Sequence, residues 1–287
     1  MRKLGFLEPT YTEPCLWRSK PGQFTGVLNV LIHVDDLAAD VEHEHDWDNF
    51  FAKFNKMFPS TTEGNLSSHL GMNLTQTETE YTLTHQVYIE NKLIEFDLDH
   101  LPPKCLPATT ANNLEQLVKE AEQRGEDIRS DPTRFRRKNA SLRYTAGLIR
   151  LDIAQALDTA TRFLDNPNKI AEEFMDNIWL YLKGTKNEGI YATVGVPGPM
   201  KILAYSDAEF GHGIPHATSK NPKIAAPIIG GIVMLGTMPI LWFAKKNKNV
   251  VLSTAEAELM AAIETTKDII EAVQMLYDMK QAHETST

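Results

Sequence analysis

Two adjacent carboxylates, Asp35 and Asp36, close an apolar run, and a second pair of acids, Asp207 and Glu258, stands far downstream. Burying an ionised carboxylate is costly unless it is paired or binds a cation. Acids placed at the ends of buried strands can hold divalent metal ions for phosphoryl transfer. Val27, Leu28, Val30, Leu31, Ile32 and Val34 read as a strand covered on both faces, and Leu37-Ala38-Ala39 resumes the pattern after the acids. This predicts a β-hairpin with Asp35-Asp36 at its tip. Successive residues of extended chain point to opposite sides, so Asp35 is expected to be the principal ligand of the two.

The downstream acids need two elements to position them. Ile202–Tyr205 reads as a short strand with Asp207 at its end. Ser253, with Glu256 three residues later, is a capping box that opens a helix expected to run to about His283. Ala255, Leu259, Ala262, Ile263, Thr266, Ile270, Val273 and Tyr277 follow helical spacing and define its expected apolar face. Glu256 has a role as a cap. Glu258 lies on the border of that face, where it is expected to converge with Asp207 on a shared ion.

These motifs, in this order, resemble the reverse transcriptase–ribonuclease H segment of copia-type retrotransposon polyproteins. Asp35-Asp36 match the polymerase's x-Val-Asp-Asp motif, and Leu70-Gly71-Met72 resembles the Leu-Gly-Ile that follows it. Tyr181-Leu182-Lys183-Gly184-Thr185 matches Tyr-Leu-Lys-Gly-Thr, Ser206-Asp207-Ala208 matches Ser-Asp-Ala-Asp, and Leu252 to Glu258 matches Leu-Ser-Ser-Thr-Glu-Ala-Glu. His33, Leu151 and Glu209 depart from the pattern, standing for Tyr, Pro and Asp.

The resemblance implies an α+β fold: a partial polymerase palm with a helical connection, followed by a truncated ribonuclease H-like mixed sheet with a packed helix. Asp35, Asp36, Asp207 and Glu258 become catalytic metal ligands for Mg²⁺, with Mn²⁺ as a substitute. Implied partners are an RNA template, an RNA–DNA hybrid, deoxynucleotides and the remainder of the polyprotein. The implied location is cytoplasmic, within virus-like particles, with access to the nucleus. The resemblance also implies an earlier palm aspartate and a third ribonuclease H aspartate after the Glu258 helix. Residues 1–26 hold no aspartate and the chain stops at Thr287. Each site is therefore expected to lack a ligand, with no polymerase activity and at most weak ribonuclease H activity in the isolated chain. The alternative is a catalytically inactive retrotransposon remnant acting at most as a nucleic-acid-binding or structural module.

Composition is ordinary for a globular protein, and 287 residues can bury a real core. Net charge is −9, mildly against a polyanion partner, but the charge is unevenly spread. Arg134, Arg136, Arg137 and Lys138 fall in one basic stretch, and Lys245, Lys246 and Lys248 follow Trp242-Phe243. Both are candidate phosphate-contacting surfaces, against the plainer reading of solvated faces. Cys15 and Cys105 read as free thiols. Residues 224–244 carry no charge and are long enough for a membrane span, but Pro227, Gly230, Gly231, Gly236 and Pro239 make them two buried strands joined by a turn. His43-Glu44-His45 does not share a helix face and is set aside as a metal site, and His212 and His216 read as surface histidines.

Along the chain, residues 1–100 are assigned to the partial palm, 101–200 to a helical connection and linker, and 201–287 to the truncated ribonuclease H-like domain. Helices are expected over 42–57, 86–96, 114–124, 135–149, 153–163 and 169–183, strands over 70–75 and 81–84, and a Gly- and Pro-rich linker over 195–200. The 114–124 helix is expected to face solvent.

Overall fold

The computed structural model describes residues 7–107, 114–126, 128–193, 201–209, 227–247, 249 and 251–279. The predicted linker at 195–200, His212, His216, Lys248 and residues 280–283 of the last helix lie outside the described residues. The fold is α+β, with three antiparallel sheets and seven α-helices among the described residues. The chain divides into two compact units, one of residues 1–69, 197–201 and 267–287, the other of residues 70–196 and 202–266.

In the first unit, β1 (Leu7–Pro9), β2 (Leu16–Ser19), β3 (Leu28–His33) and β4 (Asp36–Val41) form an antiparallel meander in sequence order. Helix α1 (Glu44–Asn55) completes the core, in which Leu7, Leu28 and Val30 meet Phe50 and Phe54. Asp46, almost fully buried at the start of α1, accepts from the backbone N–H groups of Thr25 (3.1 Å) and Gly26 (2.8 Å). Burial pushes its carboxyl up, but those two donors and the neighbouring histidines bring it below the usual range. The two-residue strand β5 (Ser68–His69) ends this stretch.

The second unit holds β6 (Met72–Gln76), β7 (Glu80–Thr84), α2 (Gln86–Glu95), α3 (Leu114–Gln123), α4 (Pro132–Leu148), α5 (Ala154–Thr161) and α6 (Lys169–Gly184). Strand β8 (Gly189–Thr193) returns to pair antiparallel with β7. The helices close on Trp179, Phe135, Leu142, Ile153 and Ile178, all fully buried. Helix caps follow local chemistry: Asp131 accepts from Thr133 N–H at 2.9 Å with Pro132 at the first helical position, and Asn168 accepts from Ala171 N–H at 2.9 Å. Helix α3 does not simply face solvent, because Leu114, Val118 and Ala121 are buried.

A third sheet, in the order β11-β10-β9, joins β9 (Ile202–Glu209), β10 (Ile228–Leu235) and β11 (Met238–Lys246). The uncharged segment is thus a hairpin turning at Gly236-Thr237, and no described helix is long and apolar enough to cross a membrane. This sheet is antiparallel throughout the described residues, where a mixed one was expected. The indole N–H of Trp242 on β11 donates to the Ala146 carbonyl at 2.7 Å, fastening the sheet to the end of α4.

Helix α7 (Thr254–Asp278) reverses the expected choice of face. Ala257, Ala261, Thr265, Ala272 and Leu276 are buried, whereas Leu259, Ile263, Ile270, Val273 and Tyr277 are exposed. The cause lies in Gly231 of β10. A Cβ there would lie 2.3 Å from Thr265 Oγ1 and 2.6 Å from the Phe243 ring. Only small residues let a helix approach a strand that closely, so the first half of α7, with Ala257, Ala261 and Thr265, turns its small residues to the sheet.

Candidate metal centres

The first pair of acids sits where the sequence places it. His33 pairs with Asp36, leaving a two-residue loop of Val34 and Asp35. Val34 has φ +56° and is 89% exposed. A β-branched residue in the left-handed region is strained, at a cost on the order of 1–3 kcal/mol. Strain of that kind at an exposed tip calls for a role other than packing. Asp35 and Asp36 are both exposed, and neither carboxylate has a hydrogen bond or ion pair among the described residues.

The second pair is arranged differently from expectation. Strand β9 runs through to Glu209, so Asp207 lies inside the strand and not at its end. Asp207 pairs with Gly230, and Ser206 pairs with Gly231, the residue beneath Thr265 of α7. Directly paired residues share a face and successive residues alternate. Helix α7 therefore covers the Ser206 row, and Asp207 projects with the opposite row. Convergence of Asp207 with Glu258 across the face of the sheet is not what this register gives. Both carboxylates are exposed and unpaired among the described residues. Glu256 is occupied, as its capping role requires: it accepts from Leu252 N–H at 2.6 Å, and its own N–H donates to Ser253 Oγ at 3.1 Å.

Among the described residues, no group of three potential ligands includes any of these four acids. The one such group is Asp97, Asp99 and His100, exposed on the turn after α2. Its spacing was not singled out in the sequence.

The Tyr181–Thr185 motif and the Arg150–Ile153 stretch, in which Leu151 stands for the family's Pro, are parts of one clasp. The Arg150 guanidinium, 2% exposed, forks onto Asp152 at 2.9 and 2.7 Å. It also donates to the Thr185 carbonyl (2.8 Å) and hydroxyl (2.7 Å), and Tyr181 donates to Asp152 at 2.7 Å. Burial pushes the Asp152 carboxyl up, but Arg150 and Tyr181 more than offset this and hold it below the usual range. Lys183 donates to the carbonyls of Asp99 (2.5 Å) and Leu101 (2.7 Å). The Arg-Leu-Asp-Ile and Tyr-Leu-Lys-Gly-Thr elements are thus structural partners.

Of the basic stretch, Lys138 is withdrawn from the surface, whereas the arginines stay exposed and also make contacts within the protein. Lys138 is fully buried, with its ammonium 3.0 Å from Glu172 and 2.6 Å from Asp176. A side chain so enclosed presents no charge at the surface. Arg134 donates to the Phe96 carbonyl at 2.8 Å, Arg136 to the Leu164 carbonyl at 3.3 Å, and Arg137 pairs with Glu95. Each was a cation available for phosphate in the sequence, and each has an intramolecular acceptor in the fold. In the second cluster, Lys245 pairs with Glu264 at 2.7 Å and stands 4.7 Å over the Phe243 ring, while Lys246 is exposed with no partner among the described residues.

No family model and no solved structure matches the chain. Curated relatives do. The chain is 27% identical, over 85% of its length, to the retrovirus-related Pol polyprotein from transposon RE1 of Arabidopsis thaliana. It is 27% identical, over 94% of its length, to the corresponding polyprotein from transposon TNT 1-94 of Nicotiana tabacum. It is 25% identical, over 94% of its length, to a transposon Ty5-1 protein of Saccharomyces cerevisiae, of which the match covers 82%. The chain spans only 15% and 20% of the two plant polyproteins. Over most of its length, the chain is a relative of the retrovirus-related Pol polyproteins of transposons.

Proposed function

We propose that this chain is the reverse transcriptase–ribonuclease H segment of a copia-type Pol polyprotein, and that its two acidic pairs contribute ligands to two separate magnesium centres. The observation that carries the reading is the hairpin tip. Asp35 sits in a two-residue loop beside a strained, exposed Val34, and neither the Asp35 nor the Asp36 carboxylate has a partner among the described residues. Unpaired carboxylates fit Mg²⁺, which takes oxygen ligands and keeps several of its waters. Bound there, the ion supplies Lewis-acid activation of an attacking oxygen and offsets charge at phosphate.

In this reading Asp35 is the principal ligand of the polymerase centre, and Asp36 supports it from the first position of β4. Asp207 and Glu258 are assigned to the ribonuclease H centre by their motifs. Because they lie on opposite faces, a shared ion would have to sit around the edge that β9 forms in the described sheet and not across its face. Each centre is completed by ligands from elsewhere in the polyprotein. The substrates are then an RNA template with deoxynucleotides at the first centre and an RNA–DNA hybrid at the second. Lys246, exposed on the same sheet as Asp207, is a phosphate contact for the hybrid.

The test is cleavage of the RNA strand in an RNA–DNA hybrid. Trace cleavage is expected, stronger with Mn²⁺ than with Mg²⁺ and abolished by Asp207→Asn or Glu258→Gln. Cleavage that survives both substitutions would overturn the assignment of these ligands.

A further inference from the structure

One buried ionisable group has no part in either centre. His85 is fully buried at the N-cap of α2, and neither ring nitrogen has a hydrogen-bond partner among the described residues. Orphaned buried polar atoms are rare in native folds and need an explanation. The ring lies flat on Tyr88, with centroids 4.4 Å apart and planes 10° apart, and Tyr144 of α4 closes the stack at 5.5 Å. Above it is the turn at Leu70 (φ +50°) and Gly71 (φ +73°). A Cβ on Gly71 would lie 3.4 Å from His85 Nε2, an ordinary contact distance, so the turn sits directly against the imidazole, and glycine suits its left-handed φ. The Tyr144 hydroxyl donates to the Leu70 carbonyl at 2.6 Å and holds the turn there.

We propose that His85 is a proton-operated latch, which keeps the Leu70–Gly71 turn seated against α2 and α4 while neutral and releases it when protonated. Burial and the helix N-terminus oppose a positive charge on the ring, only the faces of Tyr88 and Tyr144 favour one, and the nearby Lys92 is paired with Glu95 at 2.6 Å. Its own helix presents the positive end of its dipole at the N-cap, together with the Tyr88 phenol and the Lys92 ammonium, which stands 5.6 Å from the Tyr88 ring centre. Helix α4 contributes Tyr144, also a neutral phenol. The turn offers backbone only. No carboxylate partners the imidazole among the described residues.

Burial pushes the His85 imidazole down to about 4 from its ordinary 6.5. In the opened state the ring meets water and regains its ordinary affinity for a proton. Between these two values the open state binds the proton and the closed state does not. Opening therefore becomes easier as pH falls from 6.5 towards 4, by up to about tenfold per pH unit. Above 6.5 the latch is fully closed and pH has no effect through this group.

Amide hydrogen exchange of the full chain, corrected for intrinsic rates and followed from pH 7 to 4.5, tests the latch. In the wild type, protection of Gly71, Met72 and the first turn of α2 is expected to fall by up to about tenfold per unit below pH 6.5. In His85→Phe, which keeps a ring without a proton site, the same amides should show no such slope. The His85 ring nitrogens, observed directly by NMR, should remain neutral at pH 5.5. Protection independent of pH in the wild type, an equal slope in His85→Phe, or an imidazole titrating near 6.5 would each overturn the proposal. Should His85→Phe fail to fold, the ring titration and His85→Gln decide the same question.

Discussion

Replacing Lys138 with methionine separates a structural cation from a nucleic-acid contact. The side chain is 1% exposed and its ammonium bridges Glu172 and Asp176, themselves only 19% and 24% exposed. Methionine fills most of the volume, so the loss is chiefly electrostatic. Breaking a buried pair by removing one partner costs about 3–5 kcal/mol, because the remaining charge stays buried. Glu172 keeps the Ser130 hydroxyl and has Arg134 at 3.7 Å, whereas Asp176 loses its ion-pair partner. The two carboxylates retain some solvent, so a loss of about 3 kcal/mol is expected, at the low end of that range. With a urea slope of about 1.5–3 kcal/mol/M, the midpoint falls by about 1–2 M. The loss should also depend on pH. Burial already pushes Asp176 up, against the opposing pull of Lys138, and removing the ammonium pushes it further. An acid raised in the folded state destabilises as pH rises from its unfolded value through its folded one. The deficit should therefore be larger at pH 7 than at pH 4.5. A loss under about 1 kcal/mol would show that no buried charge had been stranded. Unchanged stability with weakened hybrid binding would return Lys138 to the surface role that its sequence context suggests.

Arg150→Lys keeps the charge but loses the fork onto Asp152 and the pair of bonds to Thr185. A thermal melt should report a loss of about 2–4 kcal/mol, and a change under about 0.5 kcal/mol would show that the clasp is not stabilising. Gly231→Ala drives a methyl into Thr265 and Phe243, at about 1–3 kcal/mol. Thr265→Ala in the same chain should recover part of that loss, and two additive losses would place α7 elsewhere. Any primer extension that the chain shows on a primed RNA template with Mg²⁺ should be lost in Asp35→Asn. Extension that survives the substitution would refute the role of Asp35 as a metal ligand.

The elements with strong local signals were legible in the sequence. The hairpin around Asp35, the capping box of α7 and the turn at Gly236 all lie where turn chemistry and apolar patterning put them. Helix α6 matches its predicted span to within one residue. What local pattern could not supply was the choice of partner. Strand β8 is too short to announce itself and exists because β7 offers an edge. The face of α7 was misjudged because leucine and isoleucine dominate a periodicity count, while the notch at Gly231 admits only alanine and threonine. Lys138 resembled its arginine neighbours until α6 supplied Glu172 and Asp176 from more than thirty residues away. The same limit applies to the candidate centres: residue type identified the acids, but the register of β9 decides which side Asp207 takes.

The most direct test of the account is where a divalent ion binds, since that does not depend on turnover. Titrating the chain with Mn²⁺ and mapping paramagnetic broadening should reveal two foci, one at Asp35-Asp36 and one at Asp207 with Glu258. Asp35→Asn should erase the first alone, and Asp207→Asn or Glu258→Gln the second alone. Broadening centred on Asp97, Asp99 and His100, with the four motif acids unaffected, would contradict the assignment of this segment's carboxylates to metal-dependent phosphoryl transfer.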